Sequence, residues 1–173
     1  MNENFPYGMT EYKFERLMPP TLITTEENDQ RNKYFIDELI ARLYERYRYT
    51  LEMTPRGKTL FAKLEGKECL LSISRSANTQ NRSIPSATFV VQKDLLLEVE
   101  YYICLDRVCR QQRRDFLFPV SVLMKGANER TKVIPVCIPL RWSLPKSKRR
   151  QARIDFFAFE DQWEKQLGPA LVI

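Results

Sequence analysis

There is no histidine anywhere in the 173 residues. That absence excludes Ser-His-Asp and Cys-His nucleophile systems, histidine-ligated metal centres and histidine-dependent nucleases. Long apolar runs are missing too: no stretch approaches the roughly 18 consecutive apolar residues of a membrane-spanning helix. The opening Met1-Asn2-Glu3-Asn4 lacks the basic start and apolar core of a secretory leader. A cytoplasmic protein with no membrane partner is therefore expected. Cysteine is sparse, and Cys69, Cys104, Cys109 and Cys137 form no paired C-x-x-C spacing. Three of them fall inside apolar runs, where cysteine behaves as a small hydrophobe, so reduced structural thiols are expected. Neither GxxxxGK[ST] nor GxGxxG occurs, which leaves nucleotide phosphates without a recognisable cradle.

What is present is the composition of a globular domain. Hydrophobic residues make up 43% and charged residues 29%, and ten Phe and eight Tyr supply large side chains to bury. The length suits one domain with a proper core. Lys and Arg number 28 against 22 Asp and Glu, a formal charge of +6. That surplus favours contact with a polyanion.

Residues 1–23, with Pro6, Pro19 and Pro20 among scattered aromatics, read as an irregular N-terminal arm, and residues 24–173 as a single α/β domain. Thr24 and Glu27 have the spacing of a capping box. Behind them Phe35, Ile36, Leu39, Ile40, Leu43, Tyr44 and Tyr47 recur at three and four, the period of an amphipathic helix. Its other face carries Arg31, Lys33, Arg42, Arg46 and Arg48. The period then changes to two at Tyr49, Leu51 and Met53, and Thr54-Pro55-Arg56-Gly57 offers a turn. Leu60, Ala62 and Leu64 alternate with Phe61 and Lys63, Glu65-Gly66-Lys67 turns the chain, and Cys69 to Ile73 reads as a third strand. Arg75 to Ser86 is a polar loop, and Ala87 to Val91 a further strand. From Leu95 to Ile103 a buried strand and a short helical turn near Lys93 to Leu97 both fit. Phe116-Leu117-Phe118-Pro119, Val133 to Ile138, and the alternation of Ile154, Phe156 and Ala158 follow. A short amphipathic helix bearing Trp163 and Leu167 closes the chain.

This order of elements resembles the PD-(D/E)XK, or restriction-endonuclease-like, nuclease superfamily. Gly57-Lys58-Thr59-Leu60-Phe61-Ala62 resembles its first catalytic strand, and Gly66 to Ser74 its second. The resemblance implies a mixed β-sheet flanked by helices, one Mg²⁺ site, and a role in a mobile-element or defence system. The diagnostic residues differ, however. Thr59 stands where the superfamily has its metal-binding aspartate, Ser72 where it has Glu or Gln, and Ser74 where it has lysine. A hard divalent cation needs anionic oxygen ligands, and neutral hydroxyls serve poorly. The superfamily sometimes recruits an acid from its first helix, which Asp37 or Glu38 matches here, and Glu52 precedes the Gly57 turn.

Basic residues gather at the connections: Arg107, Arg110, Arg113 and Arg114 in one string, Lys146, Lys148, Arg149, Arg150 and Arg153 in another, with Arg75 and Arg82 on the polar loop. These are the expected nucleic-acid contacts, because loops beside a sheet commonly supply phosphate-binding side chains. Tyr101, Tyr102 and Trp142 are candidates for stacking on bases or for the core. Ser72, Ser74 and Ser76 form a hydroxyl-rich patch, but nothing nearby in the sequence activates a serine.

The reading that follows is a nucleic-acid-binding, nuclease-like domain without metal-dependent cleavage and without cofactor, with DNA favoured over RNA. Two alternatives stay open. One is an active Mg²⁺-dependent endonuclease with relocated carboxylates. The other is a protein-interaction module that docks through residues 1–23 or the C-terminal Leu171-Val172-Ile173, with homodimerisation among its forms.

Overall fold

The computed structural model describes residues 25–75, 77–78, 86–108, 113–140 and 155–169. Helix α1 (Thr25–Tyr47) begins one residue after Thr24, which itself lies outside the described residues. Its apolar stripe buries Ile36, Leu39 and Leu43 and partly buries Ile40 and Tyr47. Each fully buried side chain contributes about 1.5–3 kcal/mol. Tyr44 departs from the expected stripe and is 52% exposed. One step from Leu43 turns about 100° around the helix, which carries Tyr44 off the buried face, where the Arg48 guanidinium covers its ring at 5.2 Å. The helix stops at Arg48, whose φ is 61°. In that left-handed exit the Arg48 N–H donates to the Tyr44 carbonyl and the Tyr49 N–H to the Leu43 carbonyl, satisfying two terminal carbonyls.

Strands β1 (Leu51–Met53), β2 (Leu60–Leu64) and β3 (Lys67–Ser74) form the antiparallel meander the alternation called for, with Leu51 opposite Leu64 and Leu60 opposite Leu71. The turn between β2 and β3 places Glu65 at φ 51° and Gly66 at φ 77°. Two left-handed residues in succession match the twist of a two-residue hairpin. Glycine adopts that conformation freely. Glu65 is held in it by its own side chain, whose Oε1 accepts the Thr50 N–H at 2.5 Å.

The chain then runs through β4 (Ala77–Asn78), β5 (Ser86–Gln92), a helical turn α2 (Lys93–Leu96) and β6 (Tyr101–Asp106). Of the two alternatives for this stretch, the helical turn is realised at Lys93–Leu96, and the strand begins only at Tyr101. β7 (Arg114–Pro119), α3 (Val120–Met124) and β8 (Val133–Pro139) follow, and α4 (Trp163–Leu167) comes last. The Ile154-Phe156-Ala158 alternation does not become a strand at Phe156 and Ala158, and Ile154 lies outside the described residues. Residues Phe156–Phe159 form a 3₁₀ turn, opened by the Asp155 side chain accepting the Phe157 N–H at 3.2 Å. That turn brings Phe156 and Phe159 together onto Phe118, with ring centres 5.8 and 5.4 Å away.

Two sheets result. β1-β2-β3-β6-β7 is a mixed sheet in which β3 and β6 run parallel, and β4-β5-β8 is antiparallel. Strand alternation divides the core between two faces of the five-stranded sheet. Cys69, Leu71, Ile103, Leu105 and Leu117 pack with α1 and with the fully buried Trp163 of α4. Leu70, Tyr102, Cys104, Phe116 and Phe118 pack against the inner face of the second sheet, formed by Ala87, Phe89, Val91, Ile134, Val136 and Ile138. Burial on both faces explains why β6 and β7 read as continuous apolar runs instead of alternating ones. The molecule is therefore a mixed α/β fold whose five-stranded sheet is flanked by helices, with the second sheet as an addition the sequence pattern did not announce. Cys69, Cys104 and Cys137 are free thiols. Among the described residues no helix is long and apolar enough to cross a membrane.

Candidate nucleic-acid interface

Alternation along β2 and β3 puts Thr59, Ser72 and Ser74 on the face that meets the second sheet. Ser72 is already engaged: the Tyr102 hydroxyl donates to its Oγ at 2.8 Å. Burial pushes that Tyr102 hydroxyl well above its usual range, and the bond to Ser72 only partly offsets this. Ser74 is buried and stands in register with Asp106 on β6. The candidate acids do not converge on these hydroxyls. Asp37 and Glu38 ride on α1, on the opposite side of the sheet, where Asp37 is exposed and Glu38 accepts from Arg113 at 3.3 Å. Glu52 shares the hydroxyl face but sits two strands away, opposite Lys63. Among the described residues no three His, Cys, Asp or Glu side chains gather closely enough to hold a metal ion. Three hydroxyls, one of them bonded to a tyrosine, and beside Ser74 a carboxylate already paired with arginine, do not fit a divalent cation.

That paired carboxylate is Asp106. Its Oδ2 accepts from Arg114 Nη2 at 2.6 Å and from Nε at 2.8 Å, with both side chains almost wholly buried. Arg114 also donates to the Pro139 carbonyl at 3.0 Å, tying the two sheets together. Burial raises Asp106 above the usual carboxylate range, and the Arg114 charge pulls it back. One residue along, alternation turns Asp115 to the helix side, where it accepts from Arg107 at 2.8 Å and from Arg42 of α1. Burial lowers the Arg107 guanidinium to about 10, with Glu38 opposing that shift and Arg42 and Arg113 adding to it. Arg107 and Arg114, expected at a phosphate interface, thus have their guanidiniums turned inward onto protein carboxylates.

The register Ser74–Asp106–Arg114 brings Arg75, Arg107 and Arg113 to one end of the sheet, at the carboxyl ends of the parallel strands β3 and β6. Ligands of open α/β sheets commonly bind at that end. Arg113 is exposed there. Burial lowers the Arg75 guanidinium, and the positive charge of Arg31 on α1 adds to that shift. Arg82, Arg110, Lys146, Lys148, Arg149, Arg150 and Arg153 lie outside the described residues, as do Trp142, residues 1–23 and Leu171-Val172-Ile173. Of the candidate stacking residues, Tyr102 is buried in the core, and Tyr101 is half-buried with its hydroxyl bonded to the Gln166 carbonyl at 3.3 Å.

Sequence reasoning passed over Asp106 and Asp115, and it set Arg31 and Arg42 on the basic face of the first helix without giving either a partner. A signal for the first two exists: an acid sits beside an arginine on each side of the 107–113 connection, in Asp106-Arg107 and in Arg114-Asp115. In an antiparallel hairpin that arrangement sets acid against base across the strands. Elsewhere, a shallow depression of about 430 Å³ is lined by Thr54, Pro55, Arg56, Phe61, Glu68 and Glu98. Its charges are already matched, Arg56 with Glu98 at 2.7 Å and Glu68 with Lys63 at 3.5 Å.

No family model matches this chain. No curated protein matches it either. Among solved structures, the crystal structure of MepB is similar over 78% of this chain and 93% of that one, with 10% sequence identity and a TM-score of 0.41, a likeness too slight to carry any argument about fold or function.

Proposed function

We propose that the chain is a nucleic-acid-binding domain with a restriction-endonuclease-like core that binds without cutting, and that it serves as a binding or complex-forming subunit in a mobile-element or defence system. The observation that carries binding is the positive end of the sheet. The pairing of Ser74, Asp106 and Arg114 brings Arg75, Arg107 and Arg113 to the carboxyl ends of β3 and β6, and Arg113 is exposed there. A polyanion is the partner that such a gathering of positive charge attracts. The basic strings Arg110 and Lys146 to Arg153, with Arg82, add phosphate-binding side chains to the same reading. DNA is the favoured polymer. The absence of cutting is supported by Thr59, Ser72 and Ser74, small hydroxyl residues where the resemblance requires Asp, Glu or Gln, and Lys, and by the Tyr102–Ser72 bond that occupies one of them.

The test is a salt titration of the full chain with labelled duplex DNA and with single-stranded RNA, each run with and without Mg²⁺. Phosphate contacts give a logarithmic slope of about −0.9 for each neutralised phosphate of B-DNA. A steep slope with supercoiled plasmid left intact is expected. Binding that is absent or insensitive to salt would favour a protein-interaction module. Cleavage that Glu52→Ala or Glu38→Ala abolishes would overturn the proposal in favour of an active endonuclease.

A further inference from the structure

One flank of α1 carries an arrangement that core packing does not require. The Phe35 ring is approached by two guanidiniums, Arg107 at 5.4 Å and Arg113 at 5.6 Å from its centre. Around it three arginines share two carboxylates. Asp115 is buried and takes both Arg107 and Arg42, so that corner is fixed. Glu38 is a different kind of partner. Among the described residues it pairs with Arg113, at 3.3 Å, and both side chains stand partly in solvent, at 34% and 41% exposure. The Arg107 side chain is only 2% exposed, and its buried Nε has no hydrogen-bond partner among the described residues. The flank thus combines a held cation, a partly exposed cation with one long contact, and an aromatic face between them.

An exposed single-contact ion pair contributes little stability and exchanges readily. A phosphodiester brings the same charge with oxygens spaced to engage a guanidinium fork, so it competes well for Arg113. We propose that this flank is a phosphodiester subsite, in which Glu38 holds in the free protein the position on Arg113 that a backbone phosphate takes in the complex, with Phe35 and the buried Arg107 forming its floor. Glu38 is then an internal competitor that weakens binding. This rests on the nucleic-acid reading above and adds to it the place of one contact and the carboxylate that opposes it.

The experiment uses the full chain, a fluorescein-labelled DNA duplex as probe, and fluorescence anisotropy over a range of salt. Glu38→Gln is expected to tighten binding by roughly two- to fivefold, the equilibrium equivalent of an exposed ion pair. Arg113→Gln is expected to weaken it and to reduce the salt slope by about one contact. In the Arg113→Gln background Glu38→Gln is expected to do nothing, because the competition has no object. Glu129→Gln, on the exposed loop before β8, makes the same charge change elsewhere and serves as control. Tightening equal to that of Glu129→Gln, or persisting without Arg113, would show a general charge effect and overturn the subsite. Failure of the unmodified chain to bind the duplex at low salt would instead overturn the parent reading, and the subsite with it. Both variants alter partly exposed side chains, and thermal unfolding confirms that each is folded at the assay temperature.

Discussion

Asp106 and Arg114 stand opposite one another on β6 and β7, and the carboxylate binds the guanidinium through two nitrogens at 2.6 and 2.8 Å inside the layer between the sheets. Both charges have left water, so the pair is a device of geometry before it is a source of stability: desolvation consumes much of the attraction. What it fixes is register. It holds the ends of β6 and β7 together and, through the Pro139 carbonyl, holds β8 above them.

Breaking the pair from one side leaves an unmatched buried charge. Arg114→Met or Asp106→Leu alone is expected to lower unfolding free energy by about 3–5 kcal/mol, whereas the double variant recovers most of that loss. Urea denaturation of the three variants and the parent measures the cycle. A double variant as unstable as the sum of the singles would mean that the two residues act independently.

The Tyr102–Ser72 bond admits a similar cycle on a smaller scale. Ser72→Ala strands a buried hydroxyl and is expected to cost about 1–3 kcal/mol, Tyr102→Phe about 0.5–1.5 kcal/mol, and the pair together less than the sum. If Ser72 serves only the core, none of these variants changes the salt slope of nucleic-acid binding once measured where each is folded. A change in slope would place Ser72 at the interface.

Much of this fold is visible in single residues of the sequence. The alternation of Leu60, Ala62 and Leu64 specifies β2 because one face is buried, and Gly66 specifies the turn because only left-handed φ closes it there. The helix from Thr25 follows from apolar spacing alone. The basic connection is where local reading fails. Arg107 and Arg114 look like surface cations because their partners, Asp115 and Asp106, are assigned by which strand lies opposite and which face each residue takes. Charge in a sequence has a sign but no direction. The second sheet was hidden for a related reason: β5 and β8 are separated by two strands and two helical turns, and their pairing from Ser86–Pro139 to Gln92–Val133 is a long-range fact. Of the candidate site, the neutral Thr59, Ser72 and Ser74 were legible, while the Glu38–Arg113 contact, 75 residues apart, was not.

Cys69 offers a pH test. Its thiol is fully buried, and burial pushes it up to about 12 from an ordinary 9.0, with Glu100 and Glu68 adding to the rise. The folded state therefore holds this proton more tightly than the unfolded chain does. Its contribution to stability is complete below 9.0 and is lost as pH rises from there through about 12. Cys69→Ala is expected to lose less stability than the parent between about pH 8 and about pH 10.5, compared by urea midpoints. The folded parent is also expected to resist alkylation at Cys69 near neutral pH, mapped by mass spectrometry, because the thiolate is the reactive form. Rapid native labelling of Cys69 would contradict its burial.

The last expectation separates arginines that hold the fold from those that meet a ligand. Arg107 is 2% exposed at its side chain and bonds Asp115, so Arg107→Met is expected to lower stability by about 1–3 kcal/mol, the cost of leaving a buried acceptor poorly matched. Arg42 remains beside Asp115 and keeps that cost below the loss expected at Asp106. Because its guanidinium faces inward onto Asp115, Arg107 underlies the proposed subsite without touching a phosphate itself, so Arg107→Met should weaken DNA binding while lowering its salt slope by less than one contact where the protein is folded. Arg75→Gln is the contrasting variant: it removes a cation at the carboxyl end of β3, so the slope is expected to fall by about 0.9, one phosphate's share. Stability by denaturation and slope by anisotropy, measured on both variants, give a two-by-two outcome that a generic basic surface does not produce: such a surface would lower the slope equally for both.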